Sequence, residues 1–534
     1  MQAVPTLCST SSGSKTALGF AGRAVVCLLL LCLAYSAPVA AQTELLQGDW
    51  QFYESEHFTA ASREPSRRVH SALQSLEQWR VAVAALLQTE GLPRAAVPNL
   101  VYLFDSDQQL TDFSYAQESA FFSATPRNNF LAFLVNDDES ASLLRHHYAH
   151  FLIRNNLDLR LPRWYEEGLA AFLSRIQSGR NRFQFDQYTS RNNEAMVRVS
   201  EAFSMERLLF RDQALASPRN LQIANLKSES LYYYLTHGYL LDDFPDRREA
   251  LREYLGYLQD GRNPRFAYDR AFDVTPEQLD EELHRFLAQS SRPRVTIESP
   301  LPEVLPASAR SLAGNETSML LGELALNGGR AQTAQSFFEV GIASSNALAR
   351  SYSGLGDALR FQDLEGADQV SDQEIARYFQ TALDLAPNDV NIVLDFGEYW
   401  EAELVNCDKQ YTAAERQQYL SDIEQSFNYA LQLAPDNPEV HLALGQLALL
   451  PERDWQQGQS SQRRAFDLLP ADGFIMEQAA RYAIEEEDFE RADRLIAELA
   501  QAIHSFGEPG FVTDLRERLL RKRRNEPYDS CASE

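Results

Sequence analysis

Residues Ala382–Trp400 read ALDLAPNDVNIVLDFGEYW, and this pattern returns twice further along the chain. In each copy a small residue stands ten positions after the proline, at Gly397, Gly445 and Ala480. Apolar residues at helical spacing around a helix-ending proline indicate stacked helix pairs. The C-terminal half is therefore predicted to be a helical repeat array. The later copies are ALQLAPDNPEVHLALGQLAL (Ala430–Leu449) and AFDLLPADGFIMEQAARYAI (Ala465–Ile484).

A weaker copy, FFEVGIASSNALARSYSGLGDAL, places Gly356 in the same position, and the insertion VNCDKQYTAAERQQ lengthens the first spacing. The copies resemble tetratricopeptide (TPR) repeats. The resemblance implies an all-α TPR-like domain over residues 312–503, with a groove for a protein or peptide partner and no catalysis of its own. The alternative is an ordinary helical domain with accidental similarity. Residues 504–534 are assigned to a C-terminal helix and tail.

The composition describes a folded, acidic chain of several domains. Its 534 residues are too many for one hydrophobic core. The formal net charge of −27 would repel a phosphate backbone, so nucleic acid is not expected as a partner.

The N-terminus has the pattern of a secretory signal. Lys15 and Arg23 precede the apolar run AVVCLLLLCLAYSA and then PVAAQ, which predicts a signal peptide over residues 1–41 and cleavage before Gln42. The alternative is a membrane anchor, but the run is short for a span, and no later segment reaches transmembrane length. We therefore expect an exported bacterial protein, periplasmic or secreted. Only Cys407 and Cys531 would remain, and the sequence does not decide whether they pair.

The N-terminal half mixes strand and helix patterns. HFTAAS, NLVYLF and NNFLAFLVN have the composition of strands, whereas RRVHSALQSLEQWRVAVAALL and SLLRHHYAHFLI are apolar at helical spacing. The order predicts an α+β domain over residues 42–289. Residues 290–311 contain four prolines and no sustained period, so they are predicted to be a linker.

Three histidines lie close together in LLRHHYAHFLIRNN (143–156). His146 and His150 share one face of the predicted helix and could hold one zinc ion together. A third ligand could come from RWYEEGLAAFLS, where Glu167 precedes Gly168, a residue expected to let this helix approach the first closely. The alternative is that both histidines are satisfied side chains within the fold.

The stretch HHYAHFL…LPRWYEEGLAAF resembles the gluzincin metallopeptidase signature HExxH…P-x-W-x-x-E-G-x-A. The opening WQFYESEHF and the segments SLYYYLTHGYLL and AFDVTPEQLDEELHRFL resemble other parts of peptidase-MA-like domains. The resemblance implies a zincin-like fold with His146, His150 and Glu167 as Zn²⁺ ligands. It covers the chain from Asp49 to Gln289.

One position departs from the signature, because His147 stands where the family has its catalytic glutamate. That glutamate serves as general acid and base for the attacking water. A neutral imidazole stabilises the developing charge less well, so peptidase activity is expected to be weak or absent. Glu166 is expected to be a solvated helix residue, and Tyr232, Tyr233 and Tyr234 to be core residues rather than an oxyanion site.

Three functions follow from these patterns. The first is a zinc-binding pseudopeptidase with a partner-binding repeat domain. The second is an active metallopeptidase in which His147 or another group is the base and the repeats recruit substrate. The third is a repeat adaptor whose N-terminal half is a structural cap.

Overall fold

The structure is a computed structural model, and the predicted signal peptide lies outside the residues it describes. The elements that position the candidate site belong to one compact unit, Asp49–Glu534. Among the described residues, no helix combines the length and apolarity needed to cross a bilayer. The described residues are 44–87, 92, 97–113, 119–157, 161–179, 182–185, 203–210, 218–289, 295–298, 308–364, 370–500, 510–528 and 531.

Residues before position 312 supply the strands and the first helices. The strands are β1 (Gln51–Glu54), β2 (Thr59–Ser62), β3 (Asn99–Phe104), β4 (Ala120–Ala124), β5 (Asn129–Leu134), β6 (Ile176–Gly179), β7 (Arg182–Phe185), β8 (Val295–Glu298) and β9 (Ser308–Ser311). The helices are α1 (Ser66–Leu87), α2 (Asp107–Thr111), α3 (Asp138–Asn156), α4 (Arg163–Ser174), α5 (Met205–Phe210), α6 (Pro218–His237), α7 (Arg248–Gln259), α8 (Pro264–Ala271) and α9 (Pro276–Leu287).

A six-stranded sheet with the order β4-β5-β3-β2-β1-β9 forms the centre of this half. β2, β3 and β5 run parallel to their neighbours in this group, whereas β1, β4 and β9 are antiparallel additions. Every residue of β5 is buried, as expected for a strand covered on both faces. Segments predicted as strands from their composition therefore occupy β2, β3 and β5, while β1 and β4 had no strong sequence signal.

The predicted linker contains regular structure. Within residues 290–311, β8 pairs with β7 in a second, three-stranded sheet, and β9 pairs with β1 at the edge of the large sheet. The prediction of an irregular segment is wrong for these two strands. Ser308–Ser311 contains no proline, so it can pair with β1 although prolines occur elsewhere in the segment.

The C-terminal half consists of antiparallel helix pairs, so it is a helical repeat array. In the first three pairs a glycine of the first helix faces a phenylalanine of the second: Gly322 meets Phe338, Gly356 meets Phe379, and Gly397 meets Phe427. The pairs are α10 (Gly314–Asn327) with α11 (Ala331–Ala343), α12 (Ala349–Leu364) with α13 (Asp372–Leu385), α14 (Val390–Val405) with α15 (Ala413–Leu433), α16 (Pro438–Ala448) with α17 (Gln459–Leu468), and α18 (Gly473–Glu485) with α19 (Phe489–Ala500), followed by α20 (Gly510–Arg523).

Gly445 also lies at a helix contact, but its neighbour is the next pair. A Cβ atom there would lie 2.5 Å from Oε1 of Gln478 on α18, which is a buried side chain. Gln478 cannot move aside freely because its Nε2 donates to the carbonyl of Leu442 at 2.7 Å.

Replacing Gly445 by leucine is expected to lower the free energy of unfolding by about 1 to 3 kcal/mol, because the larger side chain would overpack this contact. Urea unfolding of the purified chain measures the loss. Gly473→Leu is the control, since nothing lies within 4 Å of a Cβ atom at Gly473. Equal losses for the two variants would contradict the packing described.

The array packs directly against the N-terminal half. In its first pair, Phe113 after α2 stacks on Phe337, with ring centroids 5.8 Å apart. Further along, Asn155 at the end of α3 accepts a hydrogen bond from the backbone N–H of Ala471 at 3.2 Å. Both halves therefore form one continuous structure instead of two bodies joined by a free linker.

A disulfide joins Cys407, in the loop after α14, to Cys531 near the C-terminus. It closes a loop with a sequence separation of 124 residues, and the Cα atoms lie 5.5 Å apart, which is an ordinary separation for such a bond. The bond links the C-terminal end of the chain to the loop that follows the first helix of the third pair.

Replacing Cys407 by serine is expected to cost about 2 to 4 kcal/mol of stability, because the unfolded chain regains the freedom that a long closed loop had lost. The loss is measured by denaturant unfolding under non-reducing conditions. Cys531→Ser and the double variant should lose the same amount, and a reductant should destabilise only the native chain. A double variant much weaker than either single variant would show that the thiols act separately.

Candidate metal centre

Helices α3 and α4 position the predicted ligands. α3 starts after Asp137, whose side chain accepts hydrogen bonds from the N–H groups of Glu139 and Ser140 and so caps the helix. Its regular turns bring His146 and His150 onto one face. The break before Pro162 then lets α4 return along α3.

Gly168 has a different role from the one predicted. A Cβ atom on it would lie 2.5 Å from the Cβ of Tyr232 and 2.6 Å from the carbonyl oxygen of Ser228, both on α6. The glycine therefore admits α6 against α4, and not α3 against α4 as expected. Its effect on the site is indirect, because this packing fixes the position of α4, whose neighbouring residue Glu167 faces α3.

The side chains of His146, His150 and Glu167 converge on one point. The two imidazole Nε2 atoms are 3.3 Å apart. One carboxylate oxygen of Glu167 lies 3.3 Å from Nε2 of His146, and the other lies 3.4 Å from Nε2 of His150. Within the described residues, this is the group of histidine, cysteine and carboxylate side chains whose ligand atoms could hold a metal ion.

The separations suit zinc. Ligand atoms at the corners of a tetrahedron around Zn²⁺, with bonds of about 2.0 to 2.1 Å, are about 3.3 to 3.4 Å apart. Two imidazoles and one carboxylate are also a ligand set typical of catalytic zinc sites. In addition, Oε2 of Glu167 is buried and accepts no hydrogen bond from the described part of the chain. The residues present therefore fit the metal that the sequence resemblance implies.

Glu166 is not the solvated residue that the sequence predicts. Its carboxylate is buried, and Oε1 lies 2.9 Å from Nδ1 of His150 and 2.6 Å from Nε of Arg154. Glu166 and Glu167 leave α4 about 100° apart, as consecutive helical residues do. They reach the same imidazole because its two nitrogens lie on different edges of the ring.

Both carboxylates are held in the charged form. Burial raises the pKa of Glu167, but the neighbouring His146 and His150 outweigh it and place the pKa well below its usual value. Burial likewise raises the pKa of Glu166, and His150 and Arg154 turn the net shift downward. Burial lowers the pKa of His150, but the two glutamates raise it overall. The site thus contains two buried, negatively charged carboxylates, those of Glu166 and Glu167, that face imidazole nitrogens.

His147 stands beside this cluster and stays neutral near pH 7. Burial, followed by the nearby His146 and His150, lowers its pKa to about 4. Its ring packs edge-on near His146, with centroids 5.7 Å apart. A neutral imidazole therefore occupies the place at which the gluzincin signature has a glutamate.

The three tyrosines named in the sequence, and two histidines outside the cluster, lie within the fold. Tyr232, Tyr233 and Tyr234 are buried in the core, as expected, and the Tyr234 hydroxyl donates to Glu282 at 2.6 Å. His57 contacts Glu77 through its Nδ1 atom at 2.7 Å, and His441 contacts the carbonyl of Pro435 at 2.8 Å.

No protein-family model matches the chain, and no curated protein matches it. Similar solved structures include a thermophilic TPR protein of Thermus thermophilus, with 18% identity, 39% of this chain and 99% of that chain covered, and a TM-score of 0.31. The pilF protein of Pseudomonas aeruginosa shows 14% identity, coverages of 40% and 89%, and a TM-score of 0.28. Yeast Tom70 shows 14% identity, coverages of 73% and 72%, and a TM-score of 0.28. Scores this low carry no argument about function.

Proposed function

We propose that this chain is an exported, gluzincin-like protein that binds zinc at His146, His150 and Glu167 and hydrolyses peptides weakly or not at all. The observation that carries the proposal is the convergence of two imidazole Nε2 atoms, 3.3 Å apart, on the Glu167 carboxylate, whose two oxygens lie 3.3 and 3.4 Å from them. The disulfide between Cys407 and Cys531 supports export, because such bonds persist in oxidising compartments.

A zinc ion held here would supply Lewis acidity and make an attacking water more acidic. Peptide hydrolysis also needs a group that takes a proton from this water and returns it to the leaving amine. Neutral His147 lacks the negative charge with which a carboxylate stabilises that proton transfer. Glu166 is engaged with His150 and Arg154, so it is not placed to act as a substitute.

The repeat array supports a role in protein binding, since stacked helix pairs offer extended surfaces for partners. Part of the array already has a partner within the chain. Arg127 from the N-terminal half forms ion pairs with Asp395 on α14 and Glu439 on α16. We propose that an external protein or peptide binds the part of the array that these contacts leave accessible.

Zinc analysis of the purified mature protein tests the proposal. We expect about one zinc ion per chain after export, and its loss in Glu167→Gln. The control is His284→Ala, because His284 lies on α9, pairs with Asp280 and is not a member of the candidate metal group. A native chain that binds no zinc would refute the metal site and would favour the structural adaptor.

A further inference from the structure

The contacts of His150 extend beyond the three ligands. Its Nε2 atom faces His146 and Glu167, while its Nδ1 atom lies 2.9 Å from Oε1 of Glu166. The ring is thus held at both nitrogens between α3 and α4. Only one of these nitrogens can bind a metal at the centre of the cluster.

A neutral imidazole has one N–H group and one nitrogen lone pair. A carboxylate beside Nδ1 accepts the N–H there, because it has no proton to donate in its charged form. The lone pair is then on Nε2, which points to His146 and Glu167. Glu166 therefore selects the form of His150 that can coordinate a metal, and its negative charge makes that nitrogen a better donor.

Arg154 keeps Glu166 in this position. It lies one turn after His150 on α3, and its Nε donates to the same carboxylate oxygen at 2.6 Å. Glu166 is buried, so without a cation its charge would be costly to keep there. Arg154 and His150 together bind one carboxylate of α4 and so fix the spacing between the two helices next to the site.

We propose that Glu166 is a positioning residue, anchored by Arg154, that sets the zinc affinity of the site by orienting His150. The inference rests on the zinc binding proposed above. Losing an outer partner of a metal-binding histidine typically weakens metal affinity about 10- to 100-fold. We expect a loss of this size in Glu166→Ala. A smaller loss is expected in Glu166→Gln, whose amide oxygen can still accept from Nδ1, and in Arg154→Ala.

The experiment measures zinc affinity of the full mature chain by competition with a chromophoric chelator. The tautomer of His150 in the metal-free protein is read by nitrogen NMR of labelled histidine, with His150→Gln used for assignment. Glu229→Ala is the matched control, because Glu229 is also a buried carboxylate of an arginine pair, with Arg175 at 2.8 Å. That pair joins the residue after α4 to α6 and does not include a candidate ligand.

The expected result is weaker zinc binding in Glu166→Ala, partial rescue in Glu166→Gln, native affinity in Glu229→Ala, and a proton on Nδ1 of His150 in the native chain. Native affinity in the Glu166 variants, or a neutral His150 whose single proton is on Nε2 in the native chain, would overturn the inference. If Glu166→Ala does not fold, Glu166→Gln, Arg154→Ala and the native tautomer decide the question. A native chain without zinc affinity would instead refute the metal site itself.

Discussion

Replacing Arg127 by methionine is expected to lower the free energy of unfolding by about 2 to 4 kcal/mol, because it leaves two largely buried carboxylates without their cation. Arg127 lies at the turn between β4 and β5. Its Nη2 is 2.7 Å from Asp395 and its Nε is 2.9 Å from Glu439. The Arg127 side chain is 21% exposed, so we expect a smaller loss of stability than for a fully buried ion pair.

Denaturant unfolding of the full chain measures this loss. Arg68→Met is the control, since the Arg68 side chain is half exposed in its pair with Glu64, and such pairs contribute about 0 to 1 kcal/mol. Adding Asp395→Leu and Glu439→Leu to Arg127→Met should recover much of the stability, because apolar groups can replace a buried ion pair. Equal losses for Arg127→Met and Arg68→Met would show that the contact between the halves does not depend on this arginine.

The helical repeat was predictable because its evidence is local. A helix-ending proline and a small residue at constant spacing recur in the sequence, and each helix of a pair contacts its neighbours along the chain. The contacts between the N-terminal and C-terminal halves are not marked by any such pattern in the sequence. Arg127 lies in a short turn with no periodicity, and its partner Glu439 is 312 residues away.

The strand β9 was missed for the same reason. Ser308–Ser311 is exposed and polar, with no alternation that marks a strand. It becomes one because β1, about 260 residues earlier, offers an unpaired edge. The sequence prediction relied on the high proline content of the surrounding segment. This local composition carries no information about pairing with β1, which is distant in sequence.

The candidate metal ligands could be named from the sequence, but the contacts that support them could not. The i, i+4 spacing of His146 and His150 is a property of one helix, and the signature around Glu167 indicated the third candidate ligand. Consecutive residues such as Glu166 and Glu167 point about 100° apart on one helix. This local geometry could not show that His150, on another helix, would contact one carboxylate with each ring nitrogen.

Replacing His147 by glutamate is expected to raise peptidase activity by roughly 10² to 10⁴, the usual contribution of a general acid–base group. The position is suitable because His147 lies next to the cluster formed by His146, His150 and Glu167 and interacts electrostatically with all three. Glutamate there would be anionic near neutral pH and could accept the proton of the attacking water. Initial rates on a mixed peptide library, followed by mass spectrometry, would detect the gain whichever peptide bond is cleaved.

Two controls connect the gain to the site. His147→Gln has a similar length but cannot take a proton, so it should stay at the native level. His147→Glu combined with Glu167→Gln should lose the gain, because the second change removes one of the three proposed metal ligands. High native activity that His147→Ala abolishes would reverse the interpretation and make the imidazole the base. An inactive His147→Glu variant that still binds zinc would show that the residue at position 147 is not what limits peptidase activity.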